Sequence, residues 1–435
     1  MSERMYHPDT EALPREELVQ LQIERLQSTI NRACRNVAFY RELFERHRID
    51  PEAIRSIGDM ASLPFTTVDD LCRRYPYGMF AVPLRDIVRI HATAGNCSHP
   101  LVSGYTRNDL SHWSHLVARG LHCVGVSEHD VLQIAFGYSL STAGLGFHYG
   151  AEHLGASVIP ASCEVPVQDQ SVIMKDYKAT VLACMPGFAL TMAASLAAQG
   201  IEPQQLALRK VLLDGGIWGQ KTRLRLEQAL HVDVYATYGA AGLAGAGCAG
   251  ECTSRNGLHI SEDHFIAEVI DPRTLEVLGK GEEGELVLTT ITREAFPLIR
   301  FRTGDRTTLL EGACPCGRTF VRMEPVRGRT DDLFDTQGKK LSPAVLAEVI
   351  DAAEGGKTAF RVVLGWNDSR ETLTLQLGIT PTDSFMDELS KLEARRKRVA
   401  RAVAQRFGVD AEVTFVEALT LQEGEQGLVQ DTRGM

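Results

Sequence analysis

Residues 179–187 read ATVLACMPG, an apolar run that is followed by two similar runs, KVLLDGG (210–216) and DVYATYG (233–239). Two more runs precede it, DVLQIAFGY (130–138) and ASVIPAS (156–162), and helical stretches or Gly-rich turns lie between them. Short apolar runs that alternate with helical segments are typical of strand–helix–strand units. The sequence therefore predicts an α/β fold with a mostly parallel sheet.

The pattern of the chain changes towards its C-terminus. Short alternating strands over about 245–327 indicate a β-rich subdomain within a large N-terminal domain of residues 1–327. Two helices and two strands follow, and they predict a small α+β domain over 333–435. The polar run GRTDD (328–332) lies between these domains and is predicted to be the hinge. Near the start of the chain, apolar residues at helical spacing predict helical structure over 14–46.

Composition and charge narrow the class of protein. The chain has 435 residues, a net charge of −10, a pI near 5.8 and a mean hydropathy of −0.11. An acidic chain binds polyanions poorly, so we expect no nucleic-acid partner. No run approaches the roughly 18 apolar residues of a membrane helix and no apolar signal core opens the chain, so we expect no membrane partner and a cytoplasmic location. Ten cysteines are too few for a disulfide scaffold, and most are expected to be free and buried.

Three cysteines and one histidine are candidate metal ligands, namely Cys252, His259, Cys314 and Cys316. Three thiolates and an imidazole make an ordinary tetrahedral zinc set, and the C-x-C pair can chelate one ion. The zinc would be structural, because four protein ligands leave no open position for water. Cys248 is a substitute ligand, and the alternative interpretation is a group of unrelated buried residues.

Two further patterns carry weaker signals. The segment Thr93-Ala-Gly-Asn-Cys-Ser-His-Pro100 follows a predicted strand and could cradle phosphate, but an ordinary turn fits equally well because the usual lysine is absent. Within it, Cys97 is a candidate nucleophile, and His99, His112, His115 or His148 could be its base. His148 is predicted to be a packed core histidine instead. Elsewhere, Asp305 could accept from ribose hydroxyls and Arg329 could hold a phosphate, although each motif alone is more often a surface turn.

Taken together, these segments resemble the phenylacetate–CoA ligase family of the adenylate-forming acyl-CoA synthetases, over nearly the whole chain. The matching motifs are Leu63-Pro-Phe-Thr-Thr67, Gly144-Leu-Gly-Phe-His-Tyr-Gly-Ala-Glu152, Gly257-Leu-His-Ile-Ser-Glu-Asp-His264, Arg300-Phe-Arg-Thr303, Cys314-Pro-Cys-Gly-Arg318 and Gly328-Arg-Thr-Asp-Asp332. The resemblance implies the adenylate-forming-enzyme fold with a mobile C-terminal domain. It also implies acyl-adenylate formation with ATP and magnesium, transfer of the acyl group to coenzyme A, and a zinc site at the Cys/His set.

The family's nucleotide-handling motifs are altered in this chain. The loop that resembles Ser-Ser-Gly-Thr-Thr-Gly-Lys-Pro has His99 in place of its lysine. Gly242 stands where the family has a glutamate that helps to hold magnesium, and Glu425 stands where it has a C-terminal lysine that contacts the carboxylate and phosphate. Adenylation depends on positive charge placed beside the phosphates. A reversed charge therefore predicts that ATP-dependent adenylation is lost or very weak.

The residues that remain predict a cleft that binds an acyl or aromatic group. The predicted ligand-binding residues are Phe136, Tyr138, Phe147, Trp218, Tyr238, Asp305 and Arg329, and the predicted catalytic residues are Cys97, His99 and Glu425. Zinc is the expected cofactor, coenzyme A is a candidate, and the use of ATP and magnesium is doubtful on these residues.

Three functions stay open at this point. The first is a repurposed enzyme that binds an acyl or aryl carboxylate, its thioester or its adenylate, and carries out acyl transfer, condensation or cyclisation. The second is an active aryl carboxylate–CoA ligase (AMP-forming) with unusual phosphate handling, in which Lys339, Lys340 or Arg433 would replace the missing lysine. The third is a non-catalytic binding or scaffold subunit beside an active ligase, a carrier protein or another pathway enzyme. The resemblance also favours a homodimer.

Overall fold

The computed structural model describes residues 5–93, 99–240, 242–243, 245–330, 334–337, 339–367, 370–379, 389–417 and 429–433. Its helices are α1 (Pro8–Glu11), α2 (Arg15–Asn36), α3 (Ala38–His47), α4 (Val68–Arg73), α5 (Arg107–Cys123), α6 (Ala143–Leu154), α7 (Val167–Asp176), α8 (Pro186–Ala198), α9 (Gln220–Leu230), α10 (Pro343–Glu354) and α11 (Leu389–Phe407). Its strands are β1 (Arg89–Thr93), β2 (Leu101–Tyr105), β3 (Val131–Ile134), β4 (Ser157–Ile159), β5 (Val181–Cys184), β6 (Lys210–Leu213), β7 (Asp233–Tyr238), β8 (Ala249–Glu251), β9 (Leu258–Ile260), β10 (Phe265–Ile270), β11 (Glu283–Thr290), β12 (Phe301–Leu310), β13 (Arg322–Met323), β14 (Gly328–Arg329), β15 (Phe334–Thr336), β16 (Lys339–Leu341), β17 (Phe360–Asn367), β18 (Arg370–Ile379), β19 (Ala411–Glu417) and β20 (Val429–Asp431).

One large sheet runs through the first three quarters of the chain, in the order β10-β11-β12-β13-β9-β8-β7-β6-β5-β3-β4, with β14 beside β12. Strands β3 to β7 pair in parallel, as the apolar runs predict. From β7 onwards the pairing is antiparallel, so the predicted β-rich segment continues the same sheet. The antiparallel pair β1–β2 forms a separate sheet.

Alternate side chains of the parallel strands enter two different hydrophobic cores. On β5, Val181 and Ala183 belong to the core shared with the N-terminal helices, whereas Leu182 and Cys184 belong to the core beneath α7, α8 and α9. Successive strand residues point to opposite faces, so a strand covered on both faces is apolar throughout. This explains why the runs that predict the sheet lack an apolar–polar alternation.

The small C-terminal region has its own sheet, in the order β19-β18-β17-β20, and its own core. The predicted helix and strand at 343–353 and 372–379 are present as α10 and β18, while β17 and β20 were not predicted. The helix predicted over 384–406 is described only from Leu389 onwards, as α11. The proposed limits of the domains and of the hinge stay predictions.

The helical structure predicted over 14–46 is confirmed as two helices, which are separated by the extended backbone of Val37. Eight described cysteines are free and five of these are buried, as expected for most of them, whereas Cys72 is disulfide-bonded. Among the described residues, no helix is long and apolar enough to cross a membrane.

Candidate functional site

A cleft of about 760 Å³, counted with the space open to solvent, lies where β6 and β7 end and where β12 and β14 meet. Residues of the C-terminal segment close one side of it. The lining residues are Gly215, Gly216, Ile217, Trp218, Ala236, Thr237, Tyr238, Gly239, Leu258, Asp305, Pro325, Val326, Arg329, Phe334, Asp431 and Arg433. The cleft lies outside the carboxyl ends of parallel strands, which is where open α/β sheets bind ligands.

Asp305 is the centre of the polar contacts in this cleft. Its Oδ2 accepts a hydrogen bond of 2.7 Å from the hydroxyl of Tyr238, and its Oδ1 pairs with the guanidinium of Arg329. The pairing of β12 with β14 places Asp305 directly opposite Arg329. Burial and the Asp305 charge raise the pKa of Tyr238 well above its usual value, so this hydroxyl stays a donor.

The loop after β6 forms the opposite wall of the cleft. Gly215 and Gly216 have φ values of +78° and +70°, which a residue with a side chain rarely adopts. They lead to Trp218, whose ring lies under the guanidinium of Arg223 at 5.3 Å. This wall is held in shape by backbone conformation and by one aromatic–cation contact.

The C-terminal segment brings a second guanidinium into the cleft. Arg433 donates to Asp431 from Nη2 at 2.6 Å and from Nε at 2.8 Å, and it also pairs with Glu371. Glu371 accepts a 2.6 Å hydrogen bond from the backbone N–H of Gln337. Parallel pairing of β20 with β17 positions the segment. From sequence, Arg433 is a candidate to replace the missing phosphate contacts, whereas no pattern marks Asp431 or Glu371 as part of a site.

The four candidate metal ligands come together at the other side of the sheet. Cys252 follows β8, His259 lies on β9, and Cys314 and Cys316 belong to the loop between β12 and β13. Their ligand atoms all lie within 4.8 Å of one another, and Cys248 is not part of the group. Strands β8 and β9 pair so that His259 lies opposite Gly250, and this pairing brings His259 close to Cys252.

The spacing of these atoms fits a tetrahedral zinc ion. The Sγ atoms of Cys252 and Cys314 are 3.7 Å apart, and Cys316 Sγ lies 3.4 Å from His259 Nε2. Zinc–sulfur bonds of about 2.3 Å in a tetrahedron place two sulfur ligands about 3.8 Å apart. Hydrogen bonds from Cys252, His259 and Arg318 lower the pKa of the Cys316 thiol, and the contact with Cys316 together with burial raises that of Cys252. One thiolate is therefore favoured before any metal binds.

The chain is similar to known proteins along most of its length. Residues 338–433 match the AMP-binding enzyme C-terminal domain. The chain is 37% identical to the phenylacetate–coenzyme A ligase of Thermus thermophilus over 424 residues, which cover 95% of each chain. It is 34% identical to the phenylacetate–coenzyme A ligase of Escherichia coli, with 97% of this chain and 96% of that enzyme covered. The chain belongs to the phenylacetate–CoA ligase family.

Solved structures confirm the adenylate-forming-enzyme fold of this family member. One is 2-hydroxyisobutyryl-CoA ligase with 2-HIB-AMP and CoA in the thioesterification state, at 24% identity and a TM-score of 0.86 over 98% of this chain and 92% of that chain. An open conformation of the same ligase gives 25% identity and a TM-score of 0.70 over 98% and 94% of the two chains.

Within this family member, the predicted ligand-binding residues fall into two groups. Trp218, Tyr238, Asp305 and Arg329 line the cleft together. A second group is not among the lining residues, namely Phe136, Tyr138 and Phe147.

The two phenylalanines lie in the main core instead. Phe136 and Phe147 are stacked with ring centroids 5.5 Å apart, because α6 packs its inner face onto β3. Tyr138 forms a 3.2 Å hydrogen bond with His148, which the sequence predicts to be a core histidine. His148 is instead partly exposed and pairs with Glu152 on the surface of α6.

The predicted catalytic residues are placed only in part. His99 stacks on Tyr75 with ring centroids 4.0 Å apart. Its Nδ1 is buried and has no hydrogen-bond partner among the described residues. Cys97 and Glu425 lie outside the described residues, so the catalytic assignment of all three residues stays a prediction.

Proposed function

We propose that this family member binds a preformed acyl-adenylate or acyl thioester of an aromatic acid in the cleft and transfers its acyl group, with ordinary ATP-dependent adenylation lost or very weak. In such a transfer a nucleophile attacks the acyl carbonyl, the bond from that carbon to AMP or to sulfur breaks, and the nucleophile's proton is released. The supporting observation is the charge balance of the cleft. Each cation in the described lining is already paired with a carboxylate.

The pairing is specific at both cations. Arg329 is paired with Asp305, and Arg433 is shared between Asp431 and Glu371. The group therefore holds one more carboxylate than guanidinium. Such a group suits a nucleoside monophosphate, whose ribose hydroxyls can donate to a carboxylate, better than it suits a triphosphate. The replacements His99, Gly242 and Glu425 point in the same direction.

A second candidate function is an active aryl carboxylate–CoA ligase (AMP-forming). The observation in its favour is the full-length identity of 34–37% to four phenylacetate–coenzyme A ligases. In this case positive charge for the phosphates would come from residues other than the paired Arg329 and Arg433.

Two partial reactions separate these functions. The first measures pyrophosphate release from ATP and magnesium over a panel of aromatic acids. The second measures calorimetric binding of a non-hydrolysable aryl-adenylate analogue and acyl transfer from an aryl-adenylate to coenzyme A. We expect no pyrophosphate release and an analogue that binds at least about tenfold more tightly than ATP. Pyrophosphate release with any of the acids would overturn the proposal in favour of the ligase.

A matched pair of variants tests whether binding uses the cleft. Asp305→Asn removes the carboxylate that Tyr238 and Arg329 contact. Asp271→Asn makes the same chemical change in a turn, where Asp271 accepts from the backbone N–H of Arg273 and Thr274. Only the first variant should weaken binding of the analogue.

We also propose that the Cys/His set holds one structural zinc ion. Cys252, His259, Cys314 and Cys316 would supply its four ligands, and the ion would join the loop after β8 to the loop before β13. The spacing of the sulfur atoms supports this assignment. Elemental analysis of the purified protein tests it, with a structural ion expected in stoichiometric amount.

A further inference from the structure

A buried ion pair lies beside the candidate metal centre. Arg318 Nε donates to Glu11 Oε2 at 2.5 Å, and the side chains of these residues are 1% and 0% exposed. Glu11 belongs to α1, while Arg318 is two residues beyond Cys316 in the loop that carries two of the four ligands. A charged pair this deeply buried needs further hydrogen bonds to offset its desolvation.

The terminal nitrogens of Arg318 donate no such bond to an oxygen atom of any described residue. Nη1 and Nη2 are both buried and make no hydrogen bond to any described residue. Arg318 follows Cys316 by two residues, and Cys316 Sγ lies 3.4 Å from His259 Nε2. Arg318 and His259 also line the same internal cavity as Glu11. The unused donors of Arg318 therefore belong to a side chain that shares a cavity with one ligand and is two residues from another.

The N-terminal helices contact both loops of the metal centre. The carbonyl of Glu11 accepts a 3.0 Å hydrogen bond from the backbone N–H of Thr319. Four residues later, Arg15 at the start of α2 holds both carboxylate oxygens of Glu262, at 2.7 and 2.8 Å. Glu262 in turn accepts from the backbone N–H of Val321 at 2.5 Å. The start of the chain thus connects the segment after His259 to the loop that carries Cys314 and Cys316.

We propose that Arg318 is the outer-sphere donor to the metal-bound thiolate of Cys316, and that Glu11 is the positioning residue that aims it. A zinc ion with three thiolates and a neutral imidazole carries a net negative charge, which a guanidinium stabilises through charge-assisted N–H···S contacts. Glu11 holds Nε and leaves the two terminal nitrogens to the thiolate. The inference rests on the zinc site proposed above.

The arrangement couples metal binding to the docking of α1. If the bound metal strengthens the Arg318 contact, and Arg318 holds Glu11, then docking of α1 must strengthen metal binding by the same factor. Outer-shell partners of metal ligands typically change metal affinity by about 10–100-fold when removed. A purely structural ion pair would change the stability of the fold and leave the metal affinity of the folded protein unaltered.

The first test measures zinc affinity by competition with a chromophoric chelator on the full-length protein. We expect Glu11→Gln and Arg318→Gln to weaken zinc binding by about 10–100-fold. Arg318→Lys keeps the charge but loses the planar fork, so it should fall between these variants and the wild type. Circular dichroism with saturating zinc shows which variants are folded. If Arg318→Gln does not fold, the zinc affinities of Glu11→Gln and Arg318→Lys are enough to test the proposal.

Two control variants make the same chemical changes elsewhere. Glu17→Gln removes an exposed carboxylate from α2. Arg327→Gln removes a guanidinium whose side chain is 58% exposed and which pairs with Glu324. Both should bind zinc as the wild type does. Affinities of Glu11→Gln and Arg318→Lys within twofold of wild type would overturn the proposal.

A second readout follows the N-terminal segment by hydrogen exchange. In the wild type, removal of zinc should speed exchange in residues 7–22 more than in α9, which packs on the other face of the sheet. In Glu11→Gln, that difference should shrink. Equal exchange with and without zinc over residues 7–22 would contradict the coupling. If the wild-type protein binds no zinc, the proposed zinc site itself is wrong. If the wild-type protein binds zinc and the variants bind it equally well, only the roles proposed for Arg318 and Glu11 are wrong.

Discussion

The hydroxyl of Tyr238 donates a hydrogen bond of 2.7 Å to Asp305, whose other carboxylate oxygen pairs with Arg329. Tyr238 ends the last parallel strand, whereas Asp305 and Arg329 come from the antiparallel part of the sheet. The contact therefore joins the two halves of the sheet at the cleft. It also leaves the carboxylate oriented by two donors before any ligand arrives.

Replacement of Tyr238 by phenylalanine should lower the free energy of unfolding. Hydrogen bonds to charged groups contribute about 1.5–3 kcal/mol, and the loss here leaves a buried carboxylate with one donor fewer. Urea denaturation measures the effect. Tyr149→Phe is the control, because Tyr149 is exposed on α6 beneath Arg89, and its hydroxyl makes no hydrogen bond to any described residue. Equal stability of the Tyr238 variant and the wild type would contradict the role of this bond.

Loss of the Asp263 carboxylate should destabilise the protein in a pH-dependent way. Arg119 binds both oxygens of Asp263 at 2.8 and 2.9 Å, and the charges of Arg119 and His264 hold the pKa of Asp263 well below its usual range despite burial. A depressed carboxyl pKa stabilises the fold above the unfolded pKa of about 4, and this stabilisation is lost as the pH falls towards the folded pKa.

Asp263→Asn should therefore lower the free energy of unfolding by about 3–5 kcal/mol at pH 7, as expected for breaking a buried ion pair. The difference from wild type should narrow as the pH is lowered below about 4. Urea denaturation at several pH values measures both effects. A difference between the two proteins that stays constant down to pH 3 would contradict this assignment of the titrating group.

Alanine at Gly239 should not be accommodated. A Cβ added there would lie 1.9 Å from the carbonyl oxygen of Gly245, which is backbone and cannot rotate away. Overpacking of this kind typically costs about 1–3 kcal/mol or more, and here it would also move the wall of the cleft. Gly250 lies on the neighbouring strand, and its added Cβ would meet nothing within 4 Å. Thermal unfolding should separate Gly239→Ala from a nearly neutral Gly250→Ala, and equal melting temperatures would contradict the geometry.

Removal of one metal ligand should abolish stoichiometric zinc. Cys314→Ser replaces a buried thiol in the cluster, whereas Cys163→Ser replaces an exposed thiol away from it. We expect about one zinc ion per chain in the wild type and in Cys163→Ser, and much less in Cys314→Ser. Chelation should lower the melting temperature of the first two proteins only, because folding and metal binding are linked. Zinc retained by Cys314→Ser would show that another residue completes the site.

The parallel sheet could be predicted, and the Cys/His cluster identified as a candidate metal site, because their signals are local. A strand that is buried on both faces is apolar at every position. The apolar run from Val181 to Cys184 therefore predicts a strand that is covered on both faces. The side chains of Cys314 and Cys316 are metal ligands by their residue type alone, and three thiols with an imidazole are a typical zinc-binding set. The family motifs around Tyr238, Asp305 and Arg329 also lie in continuous stretches of sequence.

Only the tertiary structure decided which residues share the cleft and which lie in the core. Phe136 and Phe147 are aromatic residues of the kind that lines binding pockets, yet the packing of α6 on β3 buries them against each other. Arg433 and Glu371 contribute charges to the cleft only because β20 pairs with β17, and no local sequence pattern predicts that pairing. The Arg318–Glu11 pair likewise joins residues far apart in the chain. Local sequence governs the hydrophobicity of a strand and the chemistry of a ligand, but the position of one charge relative to another depends on how the whole chain packs.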